Sequence, residues 1–505
     1  MTNGPWSGGD RSFQNPIITD EHGADHGDPF VIEYCGRYFL YHTGRDGVQM
    51  YTSPDLVRWE HKGRVLNVVD SPEHWAQTDV WAPEVMYDRG VFYMYAAATR
   101  RLGSGKGDDQ ARRQGIARSH SPYGPFVWDR EPLVPDAWSI DGHPFRDDDG
   151  ALWLFYNIRT EATRYLDGTI GCGNVVDRLI APDRLEGRPT PVTFPSERWE
   201  GNAGGTWYWN EGPFVLKRRG IYYQMYSGGF FGDGTYAVGF ATATSPRGPW
   251  TKHPGNPILR SGEGILGPGH HCVVRASDGV TPYAIYHGYV PGQRGRKVHA
   301  DRLFWAGDRP ILTGPTAGEQ PVPPAPCYDP AIPHWHLAAW VRGRCVTLGD
   351  VRVALDGDWT HHVRVVCQDG SYRIFVDGML ARECTGAACG PELEVDGTVE
   401  SLVRTSWLDD DRIYDLDAGH TQRWSWGGLA RTEVSIAVKG VAEIVAHGKQ
   451  AVSRRVESPD GYKHVLFEVN EGMDFLEVRS ERNGTCIADV MLAARPSFEA
   501  RVERD

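Results

Sequence analysis

SIDGHPFRDDDGALWLFYN, residues 139–157, decides the reading of this chain. An acid, Asp141, stands just before a Pro-aromatic step. A tight acidic turn follows, then an apolar and aromatic run that ends in Tyr-Asn. The same design recurs elsewhere. DPFVIEYCGRYFLYHTG begins at Asp28, WAPEVMYDRGVFYMYAAAT at Trp81, EGPFVLKRRGIYYQMYSGG at Glu211 and GPGHHCVVRASDGVTPYAIYHGY at Gly267. Each copy has a polar or Pro-containing entry, an apolar strand, a glycine-centred turn and an aromatic strand. Gly36, Gly90, Gly150, Gly220 and Gly279 fall where a tight hairpin needs positive φ.

The copies return at intervals of about 50–70 residues, close to the length of a four-stranded propeller blade. Three of them continue into a third and a fourth strand around a Ser-Pro turn: MYTSPDLVRWEHKG (50–63), GIARSHSPYGPFVW (115–128) and VGFATATSPRGPWTK (238–252). The expected fold is all-β, with five antiparallel sheets packed radially as a five-bladed β-propeller. Sheets covered on both faces explain why the strands read as continuous apolar runs rather than as alternating ones.

In such a ring the first strand of each blade lines the central channel, and its first residues face one mouth. Proline is tolerated there because the first residue of a strand can forgo a ladder hydrogen bond. Asp28, Asp141 and Glu211 hold equivalent entries in blades one, three and four, each close to a Pro-Phe, so their carboxyls are expected to converge. Trp81, Trp207 and Trp209 lie near them in sequence, and Trp81 is the preferred sugar platform. Aromatic faces stack on the C–H surfaces of sugar rings, and paired carboxyls carry out glycosidic chemistry.

Composition narrows the field further. A length of 505 residues suits two or three domains. Acidic residues outnumber basic ones, 66 to 53, which disfavours a nucleic-acid partner because that needs a basic footprint. No apolar run is long enough to span a bilayer, so no membrane partner is expected. The opening MTNGPWSGGDRSFQNPIITD has neither a basic n-region nor an apolar h-region, and the nine cysteines form no CxxC pair. Reduced thiols and a cytoplasmic location are the expectation.

Three motifs are set aside. GSGKGDD (103–109) lacks the Walker spacing, and RDDDG (146–150) reads as a hairpin turn. WLDDDRIYDLDAGH (407–420) is a weak cation candidate without the glycine and distal glutamate of an EF-hand. A Pro-rich stretch, GPTAGEQPVPPAPCYDPAIPHW (314–335), breaks the blade rhythm. Beyond it, segments such as DGSYRIFVDG (369–378) alternate as hairpins. The expected organisation is a propeller at 1–316, a linker at 317–335 and a jelly-roll-type β-sandwich at 336–505.

On these residues the chain resembles glycoside hydrolase family 43. The resemblance spans roughly residues 14–316 and rests on the order and spacing of DPF, SPDLVRWE, WAPE, SIDGHPF, EGPF, GPGHH, YHGY and GRKVHADRLFW. It implies a five-bladed propeller and an inverting hydrolase. Asp28 matches the general base, Glu211 the general acid, and Asp141 the third acid that keeps Glu211 protonated and oriented. Arg296 matches an arginine that reaches substrate or the acids. His270 matches a histidine near the channel axis that contacts substrate or helps hold a metal ion, with a structural Ca2+ as the candidate. No cofactor is expected for the chemistry itself.

One departure from the family pattern is that Gly142 and His143 separate Asp141 from Pro144. His143 is expected to face solvent and His271 to point into the blade. The resemblance implies removal of terminal pentose, foremost α-L-arabinofuranose, from arabinose- or xylose-containing oligosaccharides. β-D-xylosidase is the near competitor and exo-β-galactanase a further one. A non-catalytic carbohydrate-binding propeller is the alternative of a different class. Exo action requires the loops at 99–114 and 196–210 to close the channel into a pocket.

Overall fold

Five sheets follow one another along the chain, none borrowing a strand from its neighbour. The computed structural model describes residues 12–20, 25–326, 328, 334–368, 370–385, 392–410, 414–416, 418–429, 432–448, 451–469 and 473–494. The inner strands of blades one to five are Phe30–Tyr34, Thr78–Asp88, Ser139–Arg146, Glu211–Arg218 and Leu266–Arg275. Each inner strand packs against the inner strands of the blades on either side, and blade five packs against blade one. This closed ring is the five-bladed propeller.

The hairpin glycines do what their positions require. Gly36, Gly90, Gly150, Gly220 and Gly279 all have φ between 75° and 85°, a region that other residues enter at a cost. The second strands are almost wholly buried: Arg37–His42 hides every residue after its first, and Val91–Thr99 hides all but two. These strands lie between two neighbouring sheets, so both faces select for apolar and aromatic residues.

The segments that flank the ring meet each other in a separate two-stranded sheet. Ser12–Gln14 pairs antiparallel with Glu319–Pro321. Asn15 then ties to blade five, its Oδ1 accepting from the Ala300 N–H at 2.8 Å and its Nδ2 donating to the Ala300 carbonyl at 3.1 Å.

Blade three is larger than the others. It gains Thr190–Thr193, antiparallel to Gly171–Ala181, and the short strand Tyr208–Trp209, parallel to the same segment. That parallel pairing brings the loop at 196–210 across the blade and leaves Trp209 two residues before Glu211.

Beyond the propeller, the all-β pattern continues in a linked set of 12 strands. The strand Leu393–Asp410 belongs to two groups: residues 393–406 pair with Trp335–Leu348, and 407–410 pair with Thr485–Ala494. A strand that changes partners in this way makes the corner of a sandwich. Each group has its own apolar cluster, one around Leu337, Val363 and Ile374, the other around Ile436, Ile444 and Leu476. Of the acidic run at 407–420, residues 411–413 and 417 lie outside those described. Among the described residues no helix is long and apolar enough to cross a membrane, and the seven described cysteines are free.

Candidate active site

The entry of each blade is irregular in a repeated way. Asp28 and Asp141 have φ of 56° and 58°, and Glu211 is followed by Gly212 at 54°. Asp79 and Ala82 of blade two, and Gly267 and His270 of blade five, share the left-handed conformation. In blades two to five the ladder between the first two strands shifts register at these residues. Such a bulge re-aims the side chain that an extended strand would have turned into a sheet face. A left-handed non-glycine residue costs about 1 kcal/mol or more, and it persists where surrounding packing over-determines it.

Asp28 is the most heavily contacted of the acids. Its Oδ1 receives Arg296 Nη1 at 2.8 Å and lies 3.3 Å from His287 Nδ1 and 3.4 Å from His270 Nδ1. Its Oδ2 accepts from the Thr43 hydroxyl at 2.5 Å, and its backbone N–H donates to His287 Nδ1 at 3.0 Å. Burial alone would raise its pKa. The Arg296 guanidinium, with His270 and His287, overrides this and holds the carboxyl well below the usual range. Arg296 is itself clamped by Asp25, at 2.8 Å to Nη2 and 3.0 Å to Nε.

Glu211 and Asp141 are shifted the other way. Burial, reinforced by the negative charge of Asp28, pushes Glu211 up to about 7 against the bond donated by Tyr236. Tyr236 donates its hydroxyl to Glu211 Oε1 at 2.8 Å. Asp141 is 4% exposed and also rises to about 7, through burial first and then the nearby Glu211 and Asp28 charges, with His270 opposing. Its Oδ2 accepts from the backbone N–H of Gly212 at 2.9 Å, so it holds the peptide that carries Glu211.

Aromatic groups wall the mouth. Trp207 stacks on Trp209 with centroids 5.5 Å apart, Trp209 on Phe230 at 5.3 Å, and Phe230 packs on Phe231 at 4.8 Å. The row ends at Arg296, whose guanidinium lies 4.9 Å from the Phe231 centroid. Trp81 is half-buried, with the Arg112 guanidinium 3.2 Å from its centroid. Arg112 comes from the end of the 99–114 loop and is fixed by the Asp79 carbonyl at 3.1 Å.

Two histidines are placed differently from one another. His143 does not face solvent. It is 4% exposed, its Nδ1 bonds Glu84 Oε2 of blade two at 2.6 Å, and its Nε2 accepts from the Val215 N–H of blade four at 3.1 Å. The Gly-His insertion before Pro144 is thus a cross-blade tie. His271 is buried, its ring 6.0 Å from that of Phe214.

His270 presents its Nδ1 to Asp28, and its backbone N–H donates to the Ser227 hydroxyl at 2.8 Å. Among the described residues no group of three or more His, Cys, Asp or Glu side chains could hold a metal ion.

Sequence reading located Asp28, Asp141, Glu211, His270, Arg296 and Trp81, and the structure brings the first five into one electrostatically connected group. It missed Thr43, Tyr236, Arg112, Phe230 and Phe231. Nothing local marks these residues. Asp25 and His287 left a trace, one three residues before Asp28 and the other inside the YHGY segment.

A mouth in which an arginine favours ionisation of one carboxyl while burial raises two others, walled by aromatic rings, is the equipment of a glycoside hydrolase. The family model for glycosyl hydrolases family 43 matches residues 13–310. The chain belongs to that family, and it is an inverting glycoside hydrolase as the family is in general. It is 30% identical over 283 residues to the β-D-galactofuranosidase xynD of Aspergillus niger, covering 52% of this chain and 73% of that protein. It is 27% identical over 294 residues to an extracellular exo-α-(1→5)-L-arabinofuranosidase of Streptomyces chartreusis, covering 54% and 82%. A crystal structure of a thermostable family-43 glycoside hydrolase superimposes with a TM-score of 0.55 and 36% identity, covering 62% of this chain and 99% of that one.

Proposed function

We propose that the chain is an exo-acting glycosidase that removes terminal α-L-arabinofuranose from arabinose- or xylose-containing oligosaccharides. Asp28 acts as general base, Glu211 as general acid and Asp141 as the group that positions the acid. The observation that carries this reading is the opposed electrostatics of two carboxyls in one mouth. Arg296 favours the ionised form of Asp28, whereas burial favours the protonated form of Glu211.

In the reaction, a water on one face of the sugar attacks the anomeric carbon and gives its proton to Asp28. Glu211 delivers its proton to the glycosidic oxygen as the C–O bond breaks, and the configuration inverts. Tyr236 occupies Glu211 Oε1, which leaves Oε2 to carry the proton. The Glu211 charge is among the causes that raise Asp141, so an ionised Glu211 disfavours ionisation of Asp141.

Two relatives named for furanosides support a furanose in the terminal subsite. α-L-arabinofuranose and β-D-galactofuranose share their ring configuration, the galactose adding an exocyclic hydroxymethyl group. The Aspergillus relative therefore favours β-D-galactofuranosidase as the second reading. Exo action is supported by the loops that carry Arg112 and Trp207–Trp209 to the mouth.

Turnover on the 4-nitrophenyl α-L-arabinofuranoside, β-D-galactofuranoside and β-D-xylopyranoside, compared with Glu211→Gln, tests the reading. Preference for the arabinofuranoside, lost in the variant, is the expected result. Preference for the galactofuranoside or the xyloside replaces the sugar. Unchanged turnover in the variant removes Glu211 from the chemistry.

A further inference from the structure

The far end of the propeller holds a second cavity, of about 730 Å³. The inner strands run from the acids to the hairpin glycines, and Gly36 and Gly279 at the far turns line this space. Its other wall is made by the C-terminal strands Trp335–Leu348 and His361–Gln368. The volume is within the range of about 300–1,000 Å³ typical of small-molecule sites.

Two arginines, one from each wall, line it, and their charges act on one another. Arg275 ends the inner strand of blade five, and Arg364 lies in the strand His361–Gln368. Among the described residues neither forms an ion pair or donates a side-chain hydrogen bond; Arg364 only lies 4.5 Å from the Phe375 centroid. Arg275 keeps an accessible side chain although protein surrounds it, as a residue facing an internal space does. Burial lowers both arginines, and the Arg275 charge contributes to bringing Arg364 down to about 9.

Asp278 acts on Arg275 and Asp148 on Arg364 through charge alone, without a side-chain hydrogen bond among the described residues. His336 is held well below its ordinary value by burial and then by Arg364 and Arg275, and burial with Arg364 takes His362 down to about 4. The nearby carboxylates are engaged elsewhere. Glu33 accepts from the Trp340 indole N–H at 2.9 Å and the Gly36 N–H at 2.6 Å. Asp278 accepts from the Thr281 hydroxyl at 2.6 Å. Trp340 offers an aromatic surface on the same wall, stacked on His362 with centroids 4.6 Å apart.

Two guanidinium groups that open on one cavity repel each other, and an oxyanion between them satisfies the donor forks of both. We propose that this cavity binds a monosaccharide-sized anion, its carboxylate or phosphate held between Arg275 and Arg364 and its ring packed against Trp340. The site is separate from the acids at the channel mouth. It joins the propeller to the C-terminal strands, so its occupant ties the two together.

The test is calorimetric titration and thermal unfolding of the full chain at constant ionic strength with glucuronate, glucose 6-phosphate, inorganic phosphate and neutral glucose. The variants are Arg275→Gln, Arg364→Gln and Arg275→Lys, the last keeping the charge but losing the fork. At least one sugar anion is expected to bind saturably and raise Tm, tighter than phosphate, while glucose does neither. Its Kd is expected to rise tenfold or more in both glutamine variants. Without ligand those variants are expected to match or exceed the parent Tm, because one of two repelling charges is gone. Absence of saturable binding, or an unchanged Kd in the glutamine variants, overturns the proposal. Equal affinity for phosphate and glucose 6-phosphate overturns the sugar-sized occupant.

Discussion

Gly27 and Arg296 compete for the same space: a Cβ built on Gly27 would sit 1.8 Å from the Arg296 guanidinium carbon. The residue before Asp28 must therefore lack a side chain for the guanidinium to reach the carboxylate. Gly27→Ala is expected to displace Arg296 and lower kcat/KM by about 10²-fold or more, the scale of loss from ångström misplacement in a site. The acid limb of the pH profile is expected to rise, because the guanidinium is what favours ionised Asp28. An unchanged profile would mean that Arg296 does not set the Asp28 charge.

The alkaline limb reports the other carboxyls. Glu211 must be protonated to act, and both it and Asp141 are raised to about 7. Activity is expected to be flat through mildly acidic pH and to fall above about 7. Tyr236→Phe removes a hydrogen bond that favours ionised Glu211, so the limb is expected to move upward by about one pH unit. A downward move in kcat/KM against pH would contradict the assignment of Glu211 as the acid.

The buried tie among blades two, three and four gives a prediction about stability. His143→Ala leaves Glu84 and the Val215 N–H without their partner in the interior. The expected loss is about 3 kcal/mol, the lower end for a broken buried pair. Urea unfolding measures it, and a loss under 1 kcal/mol would mean that water replaces the ring without penalty.

Asp301 makes stability depend on pH away from the site. Burial raises it to about 7, against an ordinary 3.8, despite bonds from Tyr286 and Thr316. Below about pH 4 the carboxyl is protonated in both states. Between about 4 and 7 only the unfolded chain ionises it, so the folded state loses stability as pH rises. Above 7 both states are ionised and the effect stops growing. The stability difference between the parent and Asp301→Asn is expected to decline from pH 4 to 7 and then level off, as followed by unfolding at each pH.

The architecture was legible because it is written locally and repeated. Five glycine turns, each with an acid, tryptophan or glycine-proline entry at one end, are patterns within twenty or so residues. The site was legible only where it lies on those repeats. Tyr236 reaches Glu211 from just before the third strand of blade four, and His143 reaches partners 59 and 72 residues away on two other blades. Such contacts leave no period in the chain. His143 reads as a polar residue in a polar entry until the neighbouring sheets are in place. The left-handed residues were equally hidden, since Asp28, Asp141 and His270 are not glycines and the enrichment of Asp and His at φ near 50° does not single out these positions.

Those left-handed entries separate two kinds of information. The cores of the sheets depend on what each strand contributes to its faces, whereas the direction of every acid depends on a backbone reversal lasting a single residue. A chain could keep all five sheets and lose its chemistry by straightening those few peptides. Conversely, a blade is free to carry a new functional group into the channel without any change in the packing behind it. The ring is a mounting whose sockets are conformational, and the same socket accepts an aspartate in blade one and a histidine in blade five.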